Sequence, residues 1–264
     1  SRTKWPPQGA CTNGRIAIPS TALKRENPHM SQQSTDPDVA SFFSAWEIYR
    51  AVIDSDAMEH QEVFAKVHRI LEERTEPFTL LDLGCGDAAG IGPALAGTQI
   101  ATYVGVDCAA PALEFAEATL SGTVAEFDLR LGDLMDTIED PSELFDVVLV
   151  SFALHHFSDD DKKRFLTAAR ARLRPGGELI LIDVVRQPGE SRDEYLARYS
   201  SYVRSWPLDT DTVERIIAHV DGFDYPADVS AEPQWAAERG FRVEEFYRGG
   251  NETQCAWRLT AIDN

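Results

Sequence analysis

The chain has no apolar run long enough to cross a bilayer, which takes about 18 residues or more, and no N-terminal stretch with the pattern of a secretory leader. It has four cysteines, Cys11, Cys85, Cys108 and Cys255, with neither the paired spacing of a zinc site nor the density of a disulfide scaffold. That usage suits a reducing compartment and predicts a cytoplasmic, soluble, globular protein. Positive charge is also scarce. The net charge is −19, from 25 Lys and Arg against 44 Asp and Glu, and the first 30 positions hold five of those basic residues with one acid, so the rest is more acidic still. The remaining surface repels nucleic-acid phosphates and anionic lipids. DNA, RNA and membranes are therefore poor partners, and a small-molecule substrate is favoured. Repeats and low-complexity tracts are absent, which excludes solenoid and linker architectures.

Residues 1–30 differ from the rest: they are basic and polar, rich in proline and glycine, and lack a hydrophobic period. They end in His29-Met30, a pairing common at cloning junctions. The expectation is a vector remnant preceding a natural start at Met30, or a disordered arm, in either case outside the fold. The 264 residues of the chain leave room for one large domain, expected over 31–264.

Within that domain, Leu80-Leu81-Asp82-Leu83-Gly84-Cys85-Gly86-Asp87-Ala88-Ala89-Gly90 is the most telling stretch. A short apolar run, 78–83, ends at an acid and two glycines. This is a buried strand entering a sharp turn that a ligand can approach closely, because glycine has no Cβ. A second run ends at Asp107 in Val104-Gly105-Val106-Asp107, placed to accept both hydroxyls of a ribose. A third ends at Asp133. The acids in and beside the loop would repel a pyrophosphate but suit an ammonium group, which argues against a nicotinamide dinucleotide.

Strands at 78–83, 101–106, 124–131, 145–151 and 178–185 alternate with helices at 56–73, 88–96, 111–120 and from the Ser158 cap to Leu173. A helix over 38–54, carrying Phe42, Phe43, Trp46, Tyr49 and Ile53, precedes them. Segments 241–247 and 253–261 read as a closing antiparallel hairpin. The alternation predicts an α/β, doubly wound, mostly parallel seven-stranded sheet of Rossmann type, with ligands at the carboxyl ends of its strands. Residues 186–235 form a longer insertion with helices at 190–206 and 210–220, predicted to lie as a lid over that edge.

These motifs resemble the class I S-adenosylmethionine-dependent methyltransferases, over about residues 45–262. Asp82-Leu83-Gly84-Cys85-Gly86 matches that family's first motif, 104–107 its ribose motif, 145–151 its fourth-strand motif, and Leu173-Arg174-Pro175-Gly176-Gly177 its turn into the fifth strand. One departure is Ala88, where the family often has glycine. The resemblance implies binding of S-adenosyl-L-methionine by Asp82, Gly84, Cys85, Gly86, Asp107, Cys108, Asp133, Leu134, Ser151, Phe152 and Ala153, with Asp133 near the adenine amine and S-adenosyl-L-homocysteine as product. It also implies that Trp46 and Tyr49 close over the methionine portion.

Methyl transfer needs alignment and exclusion of water more than a fixed catalytic signature. The loop Ser151-Phe152-Ala153-Leu154-His155-His156-Phe157 supplies the catalytic candidate, His156, as a base or as an orienting residue. Arg186, Tyr195, Tyr199, Tyr202 and His219 are the substrate-binding candidates, with Arg248 a further one. No metal is expected, because no acid or histidine is spaced with His155-His156 as a ligand set. The function predicted is methyl transfer to an O, N, S or C atom of a small molecule. The alternatives are a protein methyltransferase, a non-catalytic cofactor-binding regulator of the same fold, and, least favoured, a nicotinamide-dependent dehydrogenase.

Overall fold

A computed structural model of the chain describes residues 37–262, with side chains described from Trp46 on. The expectations for residues 1–30, for the polar lead-in up to 36 and for the Phe42 and Phe43 side chains lie outside what is described. Among the described residues no helix is long and apolar enough to cross a membrane.

The sheet runs β3 (Phe127–Leu131), β2 (Ile100–Asp107), β1 (Phe78–Leu83), β4 (Phe145–Ser151), β5 (Leu173–Arg186), β8 (Gln254–Ala261), β7 (Phe241–Arg248). The first five are parallel, and β8 pairs antiparallel with both β5 and β7. This is the doubly wound architecture expected. Its apolar runs are buried on both faces, as in the sequence Val147-Val148-Leu149-Val150, whose residues are all fully buried. The order reverses between β1 and β4, and the crevice beyond their carboxyl ends is where such sheets take ligands.

Helices α2 (His60–Glu72), α3 (Ile91–Ala94) and α4 (Ala110–Leu120) cover one face, while α5 (Leu134–Glu139), α6 (Asp159–Arg172) and α9 (Ala231–Glu238) cover the other. Several boundaries differ from the sequence reading. The two-residue β6 (Ala227–Asp228) adds an eighth strand beside the end of β5. α2 starts four residues late because Asp56 and Glu59 adopt left-handed backbone before it. α3 is only four residues long. α5 went unforeseen: Asp133 starts it, with Oδ1 accepting from the N–H groups of Met135 (2.7 Å) and Asp136 (3.1 Å).

A third apolar cluster sits over the carboxyl edge of β4 and β5. It joins α1 (Pro37–Asp54) through Val52 to α7 (Arg192–Val203) and α8 (Thr210–Phe223) through Tyr195, Tyr199, Val203, Val213, Ile216 and Val220. Ser191 and Glu194 form a reciprocal capping box that starts α7, and Asp209 caps α8.

Candidate active site

The turn after β1 is tied to the end of β2. The N–H groups of Gly84 (2.8 Å) and Cys85 (3.1 Å) donate to the Val106 carbonyl. Gly84 and Gly86 lie in left-handed backbone at φ +75° and +53°, which glycine adopts without strain. A Cβ on Gly84 would come within 3.1 Å of the Ala153 Cβ and 4.0 Å of Leu134. The structure thus gathers Gly84, Leu134 and Ala153 across the β1–β4 crevice. Ala88 also takes positive φ, +54°. Its methyl fits, being buried, but its backbone is in a region that favours glycine.

Asp82 is buried at the end of β1. Its Oδ2 accepts from the Tyr103 hydroxyl at 2.7 Å, and its Oδ1 has no hydrogen-bond partner. Burial pushes its carboxyl up to about 7, against the Tyr103 hydrogen bond and with help from Asp107. A buried oxygen without a donor is costly, and an ammonium group would satisfy it. Asp107 ends β2 with Oδ2 accepting from the Gly86 N–H (2.9 Å) and Oδ1 from the Ala109 N–H (2.8 Å). Burial raises its carboxyl, while these backbone donors pull it down. Cys85 is buried against the Gly105 backbone, and Cys108 is exposed. Asp133 spends Oδ1 on its helix cap. Ser151 ends β4, and Phe152 follows at φ +51° with its ring 4.9 Å from that of His60.

Helix α1 lies across this loop. The Tyr49 hydroxyl donates to Asp87 Oδ1 at 2.9 Å and Arg50 to Asp87 Oδ2 at 3.1 Å. Trp46 stacks on Phe115 of α4, with ring centres 4.9 Å apart. Tyr49 is therefore tied to the glycine turn, with Trp46 packed between it and α4.

The predicted acceptor residues divide. Tyr195 stacks on Tyr199 at 5.3 Å, and its buried hydroxyl has no partner. The Tyr202 hydroxyl donates to the Ala57 carbonyl at 2.8 Å, fastening α7 to the α1–α2 connection. Arg186 gives Nε to the Pro226 carbonyl (2.7 Å) and Nη1 to the Glu190 carbonyl, so it staples the insertion to itself. Arg248 pairs with Glu245 on the terminal hairpin and is not brought to the crevice.

His156 and His219 come together, their rings 5.6 Å apart, beside His155 and an acid, Asp224, that the sequence reading did not weigh. His155, the buried neighbour, has Nδ1 at 2.5 Å from Asp183 Oδ1. Asp224, which ends α8, has Oδ1 3.9 Å from His155 Nε2, 3.5 Å from His156 Nδ1 and 3.9 Å from His219 Nε2. Burial lowers His155, but Asp183 and Asp224 outweigh it and carry it up to about 9. Burial, His155 and His219 hold His156 well below the usual imidazole range, and burial with His155 lowers His219 to about 4. The view that no acid accompanies the paired histidines is corrected here. The acid comes from the far end of the insertion, and spacing along the chain cannot show it. Asp183 had a readable signal, since Ser151 of β4 pairs with Ile182 of β5.

A cleft of about 310 Å³ opens at the opposite, amino-terminal edge, lined by Thr79, Arg130, Glu143 and Arg174. Its charged groups pair with one another or with Asp128 and Asp146, and it is remote from the glycine turn.

Comparison with known proteins bears on this geometry. Residues 80–177 match a family model described as a methyltransferase domain. Residues 80–177 are thus a methyltransferase domain, similar to the class I S-adenosylmethionine-dependent methyltransferases. The matched span holds the glycine turn, Asp107, Asp133 and the β4 loop. A carboxy-S-adenosyl-L-methionine synthase from Idiomarina loihiensis is 24% identical over 154 residues, which cover 57% of this chain and 63% of the relative. Among solved structures, an O-methyltransferase family protein from Burkholderia thailandensis superposes with a TM-score of 0.57 at 17% identity, over 86% of this chain and 60% of the other. An N-methyltransferase, NodS, from Bradyrhizobium japonicum WM9 in complex with S-adenosyl-L-homocysteine gives 0.54 at 14% identity, over 77% and 87%. The chain thus spans somewhat under two thirds of the first two proteins, and at these identities the structures speak for the fold.

Proposed function

We propose that this methyltransferase binds S-adenosyl-L-methionine at the glycine turn and methylates a small-molecule acceptor held beneath the α7–α8 pair, which serves as its lid. The observation that carries the cofactor reading is the buried, partnerless Asp82 Oδ1 beside a glycine-lined crevice that a Cβ at Gly84 would crowd. Bound there, the cofactor supplies an electrophilic sulfonium methyl with a neutral leaving group. Asp82 would take its ammonium, and Asp107 the ribose hydroxyls, while its two backbone bonds keep the turn in shape. Gly84 and Gly86 let the backbone come close, and Leu134, Phe152 and Ala153 would wall the adenosine. Asp133, with Oδ2 not engaged in its cap, is placed toward the same edge.

Support for a small acceptor comes from the lid. It packs onto α1 through Val52 and tyrosines 195, 199 and 202 in one apolar cluster, the compact cover that suits a small acceptor. The Tyr195 hydroxyl, buried without a partner, is available to orient an acceptor. His156 serves as an orienting residue of the β4 loop, its Nδ1 facing the Phe223 carbonyl at 3.4 Å. Alignment and dryness then supply the catalysis. The acidic surface, −19 overall, disfavours nucleic acid and leaves a neutral or cationic acceptor.

Titration calorimetry with S-adenosyl-L-homocysteine on ligand-free protein tests the cofactor reading, with NAD as the control. Binding at micromolar concentrations is expected for the former alone. Absence of binding would leave a cofactor-free regulator of this fold. A screen of amines, thiols, phenols and carboxylic acids by mass spectrometry then tests the acceptor class; modification of polypeptides alone would overturn it.

A further inference from the structure

We propose that His155 Nε2, His156 Nδ1 and Asp224 Oδ1 bind a first-row transition-metal dication of the Zn²⁺ type, with His219 Nε2 at hand as a fourth ligand. This goes beyond the methyltransferase reading and does not rest on it.

Distance is the first argument. The three ligand atoms lie within 4.8 Å of one another, and the contacts to Asp224 Oδ1 measure 3.5–3.9 Å. Hydrogen bonds between nitrogen and a carboxylate are about 2.7–3.0 Å. Ligands on a tetrahedral ion with bonds of about 2.0–2.1 Å are about 3.3–3.4 Å apart. The spacing is too wide for hydrogen bonds; to enclose an ion the contacts to Asp224 Oδ1 must shorten by about 0.1–0.6 Å and the widest ligand separation by up to about 1.5 Å.

The second argument is the state of Asp224. Its side chain is 5% exposed, and Oδ1, the atom the imidazoles face, has no hydrogen-bond partner. An imidazolium at His155 would be expected to reach that oxygen, yet Nε2 stops at 3.9 Å. A buried carboxylate left so is expensive unless a cation sits between the groups.

The third is the support behind His155. Its Nδ1 donates to Asp183 Oδ1 at 2.5 Å, which fixes the tautomer and turns the Nε2 lone pair toward Asp224. A carboxylate behind a histidine is the usual outer support of a metal-bound imidazole. Two imidazoles and one carboxylate, with no thiolate, suit Zn²⁺, Fe²⁺, Co²⁺ or Ni²⁺ rather than Mg²⁺ or Ca²⁺. On binding, the ion would replace any proton on His155 Nε2. His156 Nδ1, which donates to the Phe223 carbonyl as an N–H, would give up that bond and present its lone pair to the metal, the ring proton then residing on Nε2. The ion would then clasp the end of α8 to the β4 loop.

The test uses the full chain, stripped of metal by chelator and titrated with Co²⁺ alone at neutral pH. One equivalent should bind, giving the visible ligand-field bands of a low-coordinate site, and Zn²⁺ should displace it. Asp224→Ala should abolish these bands, and Asp183→Asn should weaken binding by about 10–100-fold. X-ray absorption on the wild-type Co²⁺ protein needs no variant and should show nitrogen and oxygen neighbours with imidazole scattering. Failure to bind one equivalent would overturn the proposal, leaving a purely proton-linked network. A sulfur shell, or bands that survive Asp224→Ala, would place the ion elsewhere and overturn it equally.

Discussion

Replacing Asp107 by alanine separates the fold from the ligand. The carboxylate receives the Gly86 N–H at 2.9 Å and the Ala109 N–H at 2.8 Å, one on each oxygen. Hydrogen bonds to a charged group contribute about 1.5–3 kcal/mol each. Removing the acceptor strands the Gly86 donor inside the turn and frees the Ala109 donor at the start of α4, so Asp107→Ala should lower unfolding free energy by about 3–5 kcal/mol without ligand. A domain has only about 5–15 kcal/mol in total, so the shift in a urea titration is large. Asparagine keeps one acceptor and should lose roughly half as much. Calorimetry with S-adenosyl-L-homocysteine reads the second role. If the ribose hydroxyls rely on this carboxylate, loss of about 3 kcal/mol weakens affinity by about 100-fold, and Asp107→Asn should recover only part of it. An Asp107→Ala protein with wild-type urea stability would refute the claim that this residue holds the glycine turn. Wild-type affinity would refute its place at the ribose.

Ala88→Gly should stabilise the chain by about 0.5–1 kcal/mol in urea, because relief of left-handed strain exceeds the added freedom of the unfolded glycine. Gly90→Ala should destabilise it by about 1–3 kcal/mol, since the new Cβ would sit 2.3 Å from the Phe64 ring, and Phe64→Leu should recover part of the loss. Asp82 carries the pH dependence. Its carboxyl is raised from 3.8 to about 7 in the fold, so the native protein keeps a proton that the unfolded chain has already released. The stabilising contribution is full below about pH 4 and disappears as pH rises through about 7. Asp82→Asn should flatten stability between pH 5 and 8 and exceed wild type at the upper end by about 2–4 kcal/mol, while weakening S-adenosyl-L-homocysteine. A parallel decline in both proteins would remove Asp82 as its source.

Strands β1 and β4 were legible to the residue because both are short apolar runs closed by a turn or polar stretch. Their place in a parallel, doubly wound sheet followed from alternation with helices. Helix α5 was hidden because it has six residues and its cap, Asp133, reads equally well as a ligand acid. The start of α2 was misplaced because left-handed backbone at Asp56 and Glu59 leaves no mark in hydrophobic period. In the site, the glycine turn and Asp107 could be read because consecutive residues build them. The His155–Asp183–Asp224 arrangement could not, since three separate elements contribute to it and the insertion has no periodic signal that fixes where α8 ends. The three tyrosines show the same limit: one stripe along α7 holds a tyrosine tied to the Ala57 carbonyl and another whose hydroxyl has no partner.

The position of α1 bears on timing. Through Tyr49 and Arg50 the helix is fastened to Asp87 in the glycine turn, and through Val52 it packs into the α7–α8 cluster. One rigid element therefore bolts two doors. On the proposed placement of the cofactor, its exchange would need α1 to lift, and lifting it would loosen the α7–α8 cover, so both would open on one clock. Removing the Tyr49 hydroxyl should then speed both arrival and departure of S-adenosyl-L-homocysteine in stopped-flow measurements, with little change in their ratio. Turnover would follow the frequency of that opening and not the strength of any single contact to the ligand.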